Sequence, residues 1–359
     1  MTTESTLAHR KPAWLTGATP PWEGNDLESI RMSGTQLVKI LYHDNCFDGA
    51  ASASLFSRFY KEKIDHRAQI VFSGKNHGQG AVYASDCFDG DVNVVVDFRY
   101  SPDPRLTWWF DHHVSAFPKP ADEAHWKSTP RENHYYDPKA RSCAKFLATT
   151  LEQKFDWHWN AYEDLVYWAD LIDGAQFESP QAAVELAAPA LELMCWVENN
   201  HDAEHKLRFI DELTRRPLQE IAREPWVRAV LGPVKARQSR AIDLIKTRSV
   251  YADEVVFFDV SDDGLDGHNK FIPYYLFPHC TYVISVSSSA SRVKVSVGSN
   301  PWFPEKRRAN IAAICESYGG GGHPVVGAIS LGPDDLAKAR QIAAEITGRL
   351  QKDVRERES

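Results

Sequence analysis

An α/β protein is the expectation for this 359-residue chain: an open, mostly parallel sheet first, then a helical connector, then a smaller α/β part. The runs "QLVKILY" and "VNVVV" are apolar almost without interruption, as strands buried on both faces are. The stretches between early strands and throughout the middle repeat their apolar residues at helical spacing. From about residue 251 the strand-like runs return, which places a second, smaller α/β region there.

Taken in order, residues 1–35 are rich in Thr, Pro and Gly without a sustained period, and read as a tail. "QLVKILY" is a strand and "GAASASLFSRFYKEK" a helix with small residues at its start. "AQIVFS", "VNVVVDF" and "LTWWFDHH" are further strands, the last ending in polar residues. "SCAKFLATTLEQKF", "AYEDLVYWADLIDGAQF" and "SPQAAVELAAPALELMCWVE" are helices, closing a region of 36–200. "HKLRFIDELTRRPLQEIA" and "WVRAVLGPVKARQSRAIDLIK" form a helical connector over 201–250. "EVVFFDV", "TYVISVSS" and "RVKVSVG" are strands of a region 251–350. The helix "NIAAICESY", the run "GGGG" and the helix "PDDLAKARQIAAEITGRL" complete it, and 351–359 is a short tail.

Composition narrows the class. Hydrophobic residues at 43% and charged residues at 25% are ordinary for a globular protein in water. No apolar run reaches membrane-spanning length, and "MTTESTLAHRKPAWLTGATPPWEG" lacks the apolar stretch of a secretory leader. The six cysteines (46, 87, 143, 195, 280, 315) contain no close C-x-x-C pair. That argues against a disulfide framework or structural zinc and for a reducing cytoplasm. A net charge of −8 disfavours broad binding to long duplex DNA, yet allows a small charged substrate in a local basic cleft. The span 292–310 is one such locality, with Arg292, Lys294, Lys306, Arg307 and Arg308 against Glu305.

The chemistry-bearing residues cluster at strand ends, where open α/β sheets place their sites. "ILYHDNCFDG" puts His43, Asp44, Cys46 and Asp48 after one strand, "VVVDFRYSPD" puts Asp97 after another, and "WWFDHH" puts Asp111, His112 and His113 after a third. Singly, each reads as a turn or cap. Together they would gather carboxylates and imidazoles in one crevice, which is costly without a cation. In "LVYWADLIDGAQF", Asp170 and Asp173 are three apart and share a helix face. Either one points inward, or Asp170 is exposed and Asp173 caps the helix before Gly174. Near the C-terminus, Gly319 to Gly322 permit close approach of an anion to backbone N–H groups, with His323 alongside. The alternative is a flexible linker.

These motifs, in this order, resemble the DHH phosphoesterase superfamily, with RecJ-like and nanoRNase-like members. "YHDNCFDGAAS" is similar to its first motif in the variant H-x-N-C-x-D-G, "VVVDF" to the second, "FDHH" to the third and "LIDGAQF" to the fourth. "YGGGGHPVVGA" resembles the Gly-rich signature of the associated nucleic-acid-binding domain, so the likeness spans residues ~36 to 345. The resemblance implies two divalent cations, Mn2+ foremost and Mg2+ next. Asp97 would bridge them, His43 would hold the first, and Asp48, His112 and Asp173 the second, with Cys46 an optional ligand. His113 would sit beside the reacting phosphate and Asp111 would orient the histidines. Gly320, Gly321, Gly322 and His323 would grip substrate, with Arg307 or Arg308 standing in for an arginine that the family often has where this chain has Gly298. "VGA" at 326–328 replaces the usual Ala-Ala-Gly, and Cys46 stands where many relatives have aspartate.

The implied activity is metal-dependent hydrolysis of phosphodiester bonds in short single-stranded oligonucleotides or dinucleotides, of exonuclease type, in the cytoplasm and without a membrane partner. A homodimer is left open. A long-strand RecJ-type nuclease fits less well with so acidic a chain. The alternatives are a nucleotide-binding or sensory protein impaired by Cys46, and a phosphoanhydride hydrolase acting on polyphosphate or pyrophosphate.

Overall fold

The computed structural model describes residues 35–76, 83–129, 131–265 and 267–358, so the expected N-terminal tail lies outside it except for Thr35. The chain divides into two compact units. One runs up to Asp173 and includes Leu207–Arg215; the other comprises Gly174–Lys206 and the chain from Arg216 onward. No described helix is long and apolar enough to cross a membrane.

The first unit begins with β1 (Leu37–His43) and α1 (Phe47–Phe59), which runs into one π-helical turn at Tyr60–Ile64. Then come β2 (Gln69–Lys75), β3 (Val92–Val96), β4 (Leu106–Asp111), α2 (Pro120–Ser128) and β5 (His134–Tyr136). It continues with α3 (Cys143–Phe155) and α4 (Glu163–Asp173). The five strands form one sheet in the order β2-β1-β3-β4-β5, every pairing parallel. All five residues of β3 are buried, which is why its sequence does not alternate. After β2 the chain adds strands on the other side of β1, so the order reverses between β1 and β3. A crevice opens at the carboxyl ends of strands at such a reversal.

Two elements of this unit had no visible signal. The helix α2 buries none of its residues and so carries no apolar stripe to read. The strand β5 has only three residues. It nevertheless buries His134 against the rings of Tyr100 and Trp109. Burial, with Arg131 nearby, lowers the His134 pKa to about 4. A histidine held neutral in this way stabilises the fold fully above its unfolded value near 6.5, and that contribution fades as pH falls from there toward 4. The loss amounts to about 3 kcal/mol. Thermal unfolding at pH 7 and at pH 4.5 should therefore differ less in His134→Gln than in the wild type. An identical acid-induced drop in both would remove His134 from the account.

After α4 the chain enters the second unit through α5 (Pro180–Glu185) and α6 (Pro189–Asn199). The sequence pattern suggested one helix here. Leu186 in the left-handed conformation (φ 51°) ends α5, and Pro189 starts α6. The helix α7 (Ala203–Leu213) follows, then α8 (Leu218–Ile221) and the long α9 (Pro225–Arg248). Beyond these lie β6 (Val250–Ala252), β7 (Val255–Asp259), α10 (Ile272–Leu276), β8 (Tyr282–Ser288) and β9 (Val293–Ser299). The last elements are α11 (Ile311–Glu316), β10 (Gly321–His323), β11 (Val326–Leu331) and α12 (Leu336–Glu358). The six strands form a sheet in the order β10-β11-β9-β8-β7-β6, antiparallel except for β7 with β8.

One face of this sheet buries Ile284, Val286, Val293, Val295 and Ile329 beneath α11 and α12. The helix α12 continues past residue 350, where a tail was expected, because Val354 extends the buried stripe of Ile346 and Leu350 by one more turn. The opposite face carries Val256, Phe258 and Val283 in a second core with Ile245 of α9 and Ile272 of α10.

Candidate metal centre

His43 is the last residue of β1, Asp97 follows β3 by one position, and Asp111 is the last residue of β4. Three neighbouring strand ends thus supply the crevice with side chains. Local backbone geometry reinforces this. Asn45 and Asp97 adopt left-handed conformations (φ 57° and 55°), which cost a non-glycine residue about 1 kcal/mol and are most tolerable for Asn and Asp. The Asp97 amide is fixed by the Phe110 carbonyl at 2.9 Å. Gly49, in the first turn of α1, lets that helix abut the end of β1: a Cβ there would lie 2.2 Å from the His43 carbonyl oxygen.

The strand ends, with α1 and α4, assemble two triads. His43, Asp97 and His113 each offer a donor atom, all within 4.8 Å of one another, and Asp48, His112 and Asp173 do the same. Asp97 is fully buried and faces both sets. Its Oδ2 lies 3.4 Å from His43 Nδ1, while its Oδ1 lies 3.5 Å from His112 Nε2 and 3.7 Å from His113 Nδ1. His112 Nε2 is also 3.3 Å from Asp173 Oδ2 and 3.8 Å from Asp48 Oδ2.

The surroundings orient these groups. Asp48 accepts hydrogen bonds from the amides of Cys143 (2.7 Å) and Ala144 (2.9 Å), at the N-terminus of α3, where the helix dipole favours a carboxylate. His112 Nδ1 contacts the Ala140 carbonyl at 3.0 Å, which assigns the proton to Nδ1 and the lone pair to Nε2. Asp111 Oδ1 accepts from the amides of His112 (2.8 Å) and His113 (3.2 Å) and from His113 Nδ1 (2.8 Å). That leaves Nε2 as the lone-pair atom of neutral His113. Asp170 is buried, but it pairs with Arg141 (2.5 Å) and Lys145 (3.3 Å) and accepts from Ser142 (3.3 Å). It fastens α4 to the start of α3, whereas Asp173, one turn later, joins the triad.

The donor set fits a divalent cation. Both Asp97 oxygens and His112 Nε2 are buried without a hydrogen bond of adequate geometry among the described residues. Buried polar atoms in that condition are costly, and a cation would satisfy them. Mixed carboxylate and imidazole ligation suits a divalent first-row cation. Protonation follows the same crowding. Burial acts to raise Asp97, but His112, His43 and His113 outweigh it and bring its pKa to about 2. Burial acts to lower His112, but Asp97 and Asp48 raise it to about 10. Asp173 rises to about 6 through burial and the charge of Asp97, and Asp48 rises through burial with Asp97 and Asp173 nearby.

A cation held there would require Asp48 and Asp173 ionised and His112 neutral, so it would displace a proton from His112 near neutrality and from either carboxyl where that is protonated. Metal affinity should therefore rise with pH, by about tenfold per unit for each proton displaced. Chelator competition at pH 6, 7 and 8, with calorimetry in two buffers of different ionisation enthalpy, measures this. Affinity independent of pH would contradict it.

Cys46 belongs to neither triad. Its thiol is pushed well above the usual range by burial and then by Asp97, Asp48 and Asp173, so it stays protonated near neutrality. Asp44 holds the turn: its amide donates to the Lys75 carbonyl (2.8 Å) and its Oδ1 accepts from the Asn45 amide (2.9 Å). Reach of His113 to His43 and Asp97 had no separate signal, because adjacent histidines look alike in a sequence.

In the second unit, Gly321 and Gly322 pair with Ala328 and Gly327 as strand β10, so this part of the run is a strand edge and not a free loop. A Cβ on Gly320 or Gly322 would lie 2.3 Å from a carbonyl oxygen of β11. His323 is exposed. Arg307 donates to Ser299 Oγ at 3.3 Å, and the Arg308 backbone amide donates to the Tyr282 hydroxyl at 3.1 Å. Of the basic span, Lys306 pairs with Glu254 at 3.1 Å.

No family of known proteins and no curated relative matches the sequence. Solved structures do. The pGpG-specific phosphodiesterase PggH from Vibrio cholerae matches 86% of this chain and 99% of its own, at 20% identity and a TM-score of 0.61. The DHH domain of a member of a family of ribosomal proteins matches 88% of this chain and 87% of its own, at 13% identity and a TM-score of 0.50. Exonuclease RecJ bound to manganese matches 90% of this chain and 93% of its own, at 10% identity and a TM-score of 0.47.

Proposed function

We propose that this chain, which has the fold of the DHH proteins, is a divalent-metal-dependent phosphoesterase that cleaves phosphodiester bonds of dinucleotides or short single-stranded oligonucleotides. The observation that carries the reading is the single buried carboxylate of Asp97 facing two complete donor triads. The likeness to a pGpG-specific phosphodiesterase over 86% of the chain supports the substrate class.

His43 and Asp97 would hold one cation, with His113 in reach, and Asp48, His112 and Asp173 the other, with Asp97 shared. Two such cations, manganese foremost, supply a water of lowered pKa and neutralise charge developing on the phosphoryl group. The chain's own residues do the rest. Asp48, tied to two amides of α3, fixes the position of its triad. Asp111 holds the His113 ring, and despite burial its carboxylate, with that of Asp97, raises the His113 pKa. A protonated His113 Nε2 can then donate a hydrogen bond to a phosphoryl oxygen, or its proton to the departing alkoxide. The protonated thiol of Cys46 takes no nucleophilic part. In the second unit, the outer edge of β10 with His323 and the guanidinium groups of Arg307 and Arg308 are candidates for gripping the nucleotide.

Purified protein incubated with Mn2+ or Mg2+ and labelled pGpG, pApA and 5′-phosphorylated RNA of increasing length tests the reading. Release of mononucleotide, fastest from the shortest substrates, is expected. No release with any divalent metal would favour a nucleotide-binding protein without catalysis, and cleavage of polyphosphate alone would move the activity to phosphoanhydrides.

A further inference from the structure

Residues 140–145, which lead into α3, touch two ligands of one triad at three atoms. The Ala140 carbonyl accepts from His112 Nδ1 (3.0 Å), and the amides of Cys143 and Ala144 donate to the two oxygens of Asp48 (2.7 and 2.9 Å). A shift of this segment would turn the His112 ring and carry Asp48 with it. Whatever holds the segment helps to place the triad.

Asp170 holds it. Its Oδ2 accepts from Arg141 Nη2 (2.5 Å) and Lys145 Nζ (3.3 Å), and its Oδ1 accepts from the Ser142 hydroxyl (3.3 Å). The same hydroxyl accepts from the Lys145 amide (3.3 Å) and so caps α3. These are not the loose pairs of an exposed surface, because Asp170 is buried and would be an uncompensated charge without its cations. The segment is thus gripped from two sides: by the triad at residues 140, 143 and 144, and by Asp170 at residues 141, 142 and 145. The third ligand, Asp173, stands three residues farther along the same face of α4. One helix therefore presents one ligand directly and, through Asp170, fixes the other two. The hydrogen-bond partners of Asp170 among the described residues include none of His43, Asp97 and His113. That triad leans on strand ends and on Asp111 instead.

We propose that Asp170 is a positioning residue for the cation of the triad Asp48, His112 and Asp173. Without touching the ion, it sets the places of Asp48 and His112 through residues 140–145, and it leaves the site of the other cation alone. The assignment rests on the reading of the chain as a two-cation phosphodiesterase. Asp170→Asn keeps the volume and one acceptor oxygen but gives up the charge that draws Arg141 and Lys145, so the segment loosens while the interior stays filled.

Mn2+ titration calorimetry and electron paramagnetic resonance of the full chain test this. The wild type should bind two Mn2+ as a spin-coupled pair. Asp170→Asn should bind one of them within about twofold of the wild type and the other at least about tenfold more weakly, with the signal of an isolated Mn2+ in place of the coupled one. Raising Mn2+ should then restore mononucleotide release, with KM for the substrate unchanged. Glu62→Gln controls for a loss of stability alone: Glu62 accepts from Trp157 Nε1 (2.8 Å), and its partners Arg58, Trp157 and Tyr162 lie outside residues 140–145. It should melt lower than the wild type and hold both cations as tightly. If Asp170→Asn misfolds, Arg141→Gln, at a half-exposed side chain, should weaken the same cation to a smaller degree. Wild-type affinity for both cations in the clamp variants would overturn the assignment, as would equal weakening of both cations or the same selective loss in Glu62→Gln. A wild type that binds two Mn2+ but cleaves no phosphodiester would refute the phosphodiesterase reading and leave the role of Asp170 standing. A wild type that binds fewer than two would end both.

Discussion

Replacing Asp97 with alanine is expected to leave a folded protein without bound divalent metal and at least about 1000-fold less active. One carboxylate lies between His43 at 3.4 Å and His112 at 3.5 Å, so in the proposed site its removal would take away the ligand that both cations share. Removing Asp97 relieves repulsion with Asp48 and Asp173 but forfeits the stronger attraction of His112, His43 and His113, so a folded but less stable protein is expected. The left-handed backbone at this position is less comfortable for alanine than for aspartate, so Asp97→Asn is the closer steric control. Metal content by mass spectrometry and mononucleotide release decide the matter. Wild-type retention of either would refute the bridging role.

The second large effect is structural. Gly49→Ala should destabilise the first unit by about 3 kcal/mol and impair the first triad, because the new Cβ would lie 2.2 Å from the His43 carbonyl oxygen and 3.0 Å from its Cβ. Backbone at that distance cannot step aside as a flexible side chain would. Either α1 moves off the sheet or β1 carries His43 away from Asp97. Gly232→Ala is the contrasting variant, since a Cβ there meets nothing within 4 Å and helix α9 should gain about 1 kcal/mol. A melting temperature for Gly49→Ala equal to the wild type would show that the contact is not the reason for glycine.

What could be read from the sequence follows from how each feature is encoded. Buried parallel strands advertise themselves because nothing polar interrupts them, and the strand-end acids and histidines follow directly behind. That made His43, Asp97, Asp111, His112 and His113 visible, whereas Asp48 and Asp173 stood out as ligands only through the resemblance of their motifs. Spacing alone left Asp170 and Asp173 as alternatives, and only the motif likeness favoured Asp173. The partners that claim Asp170, Arg141 and Lys145, lie 25 to 29 residues earlier in the chain, and their approach depends on how α3 meets α4. The Gly-rich run signalled backbone freedom but not its use, because strand β10 exists only through pairing with β11.

The two triads differ in how firmly their carboxylates are held. Asp48 is 1% exposed and bound by two amides at the start of α3, so it cannot turn away without breaking both hydrogen bonds. Asp173 ends α4 with its side chain 25% exposed, and it takes up a proton near pH 6. In the proposed site it is therefore Asp173, and not Asp48, that would let go of a cation. A cation held there would leave by a door that opens on one side only.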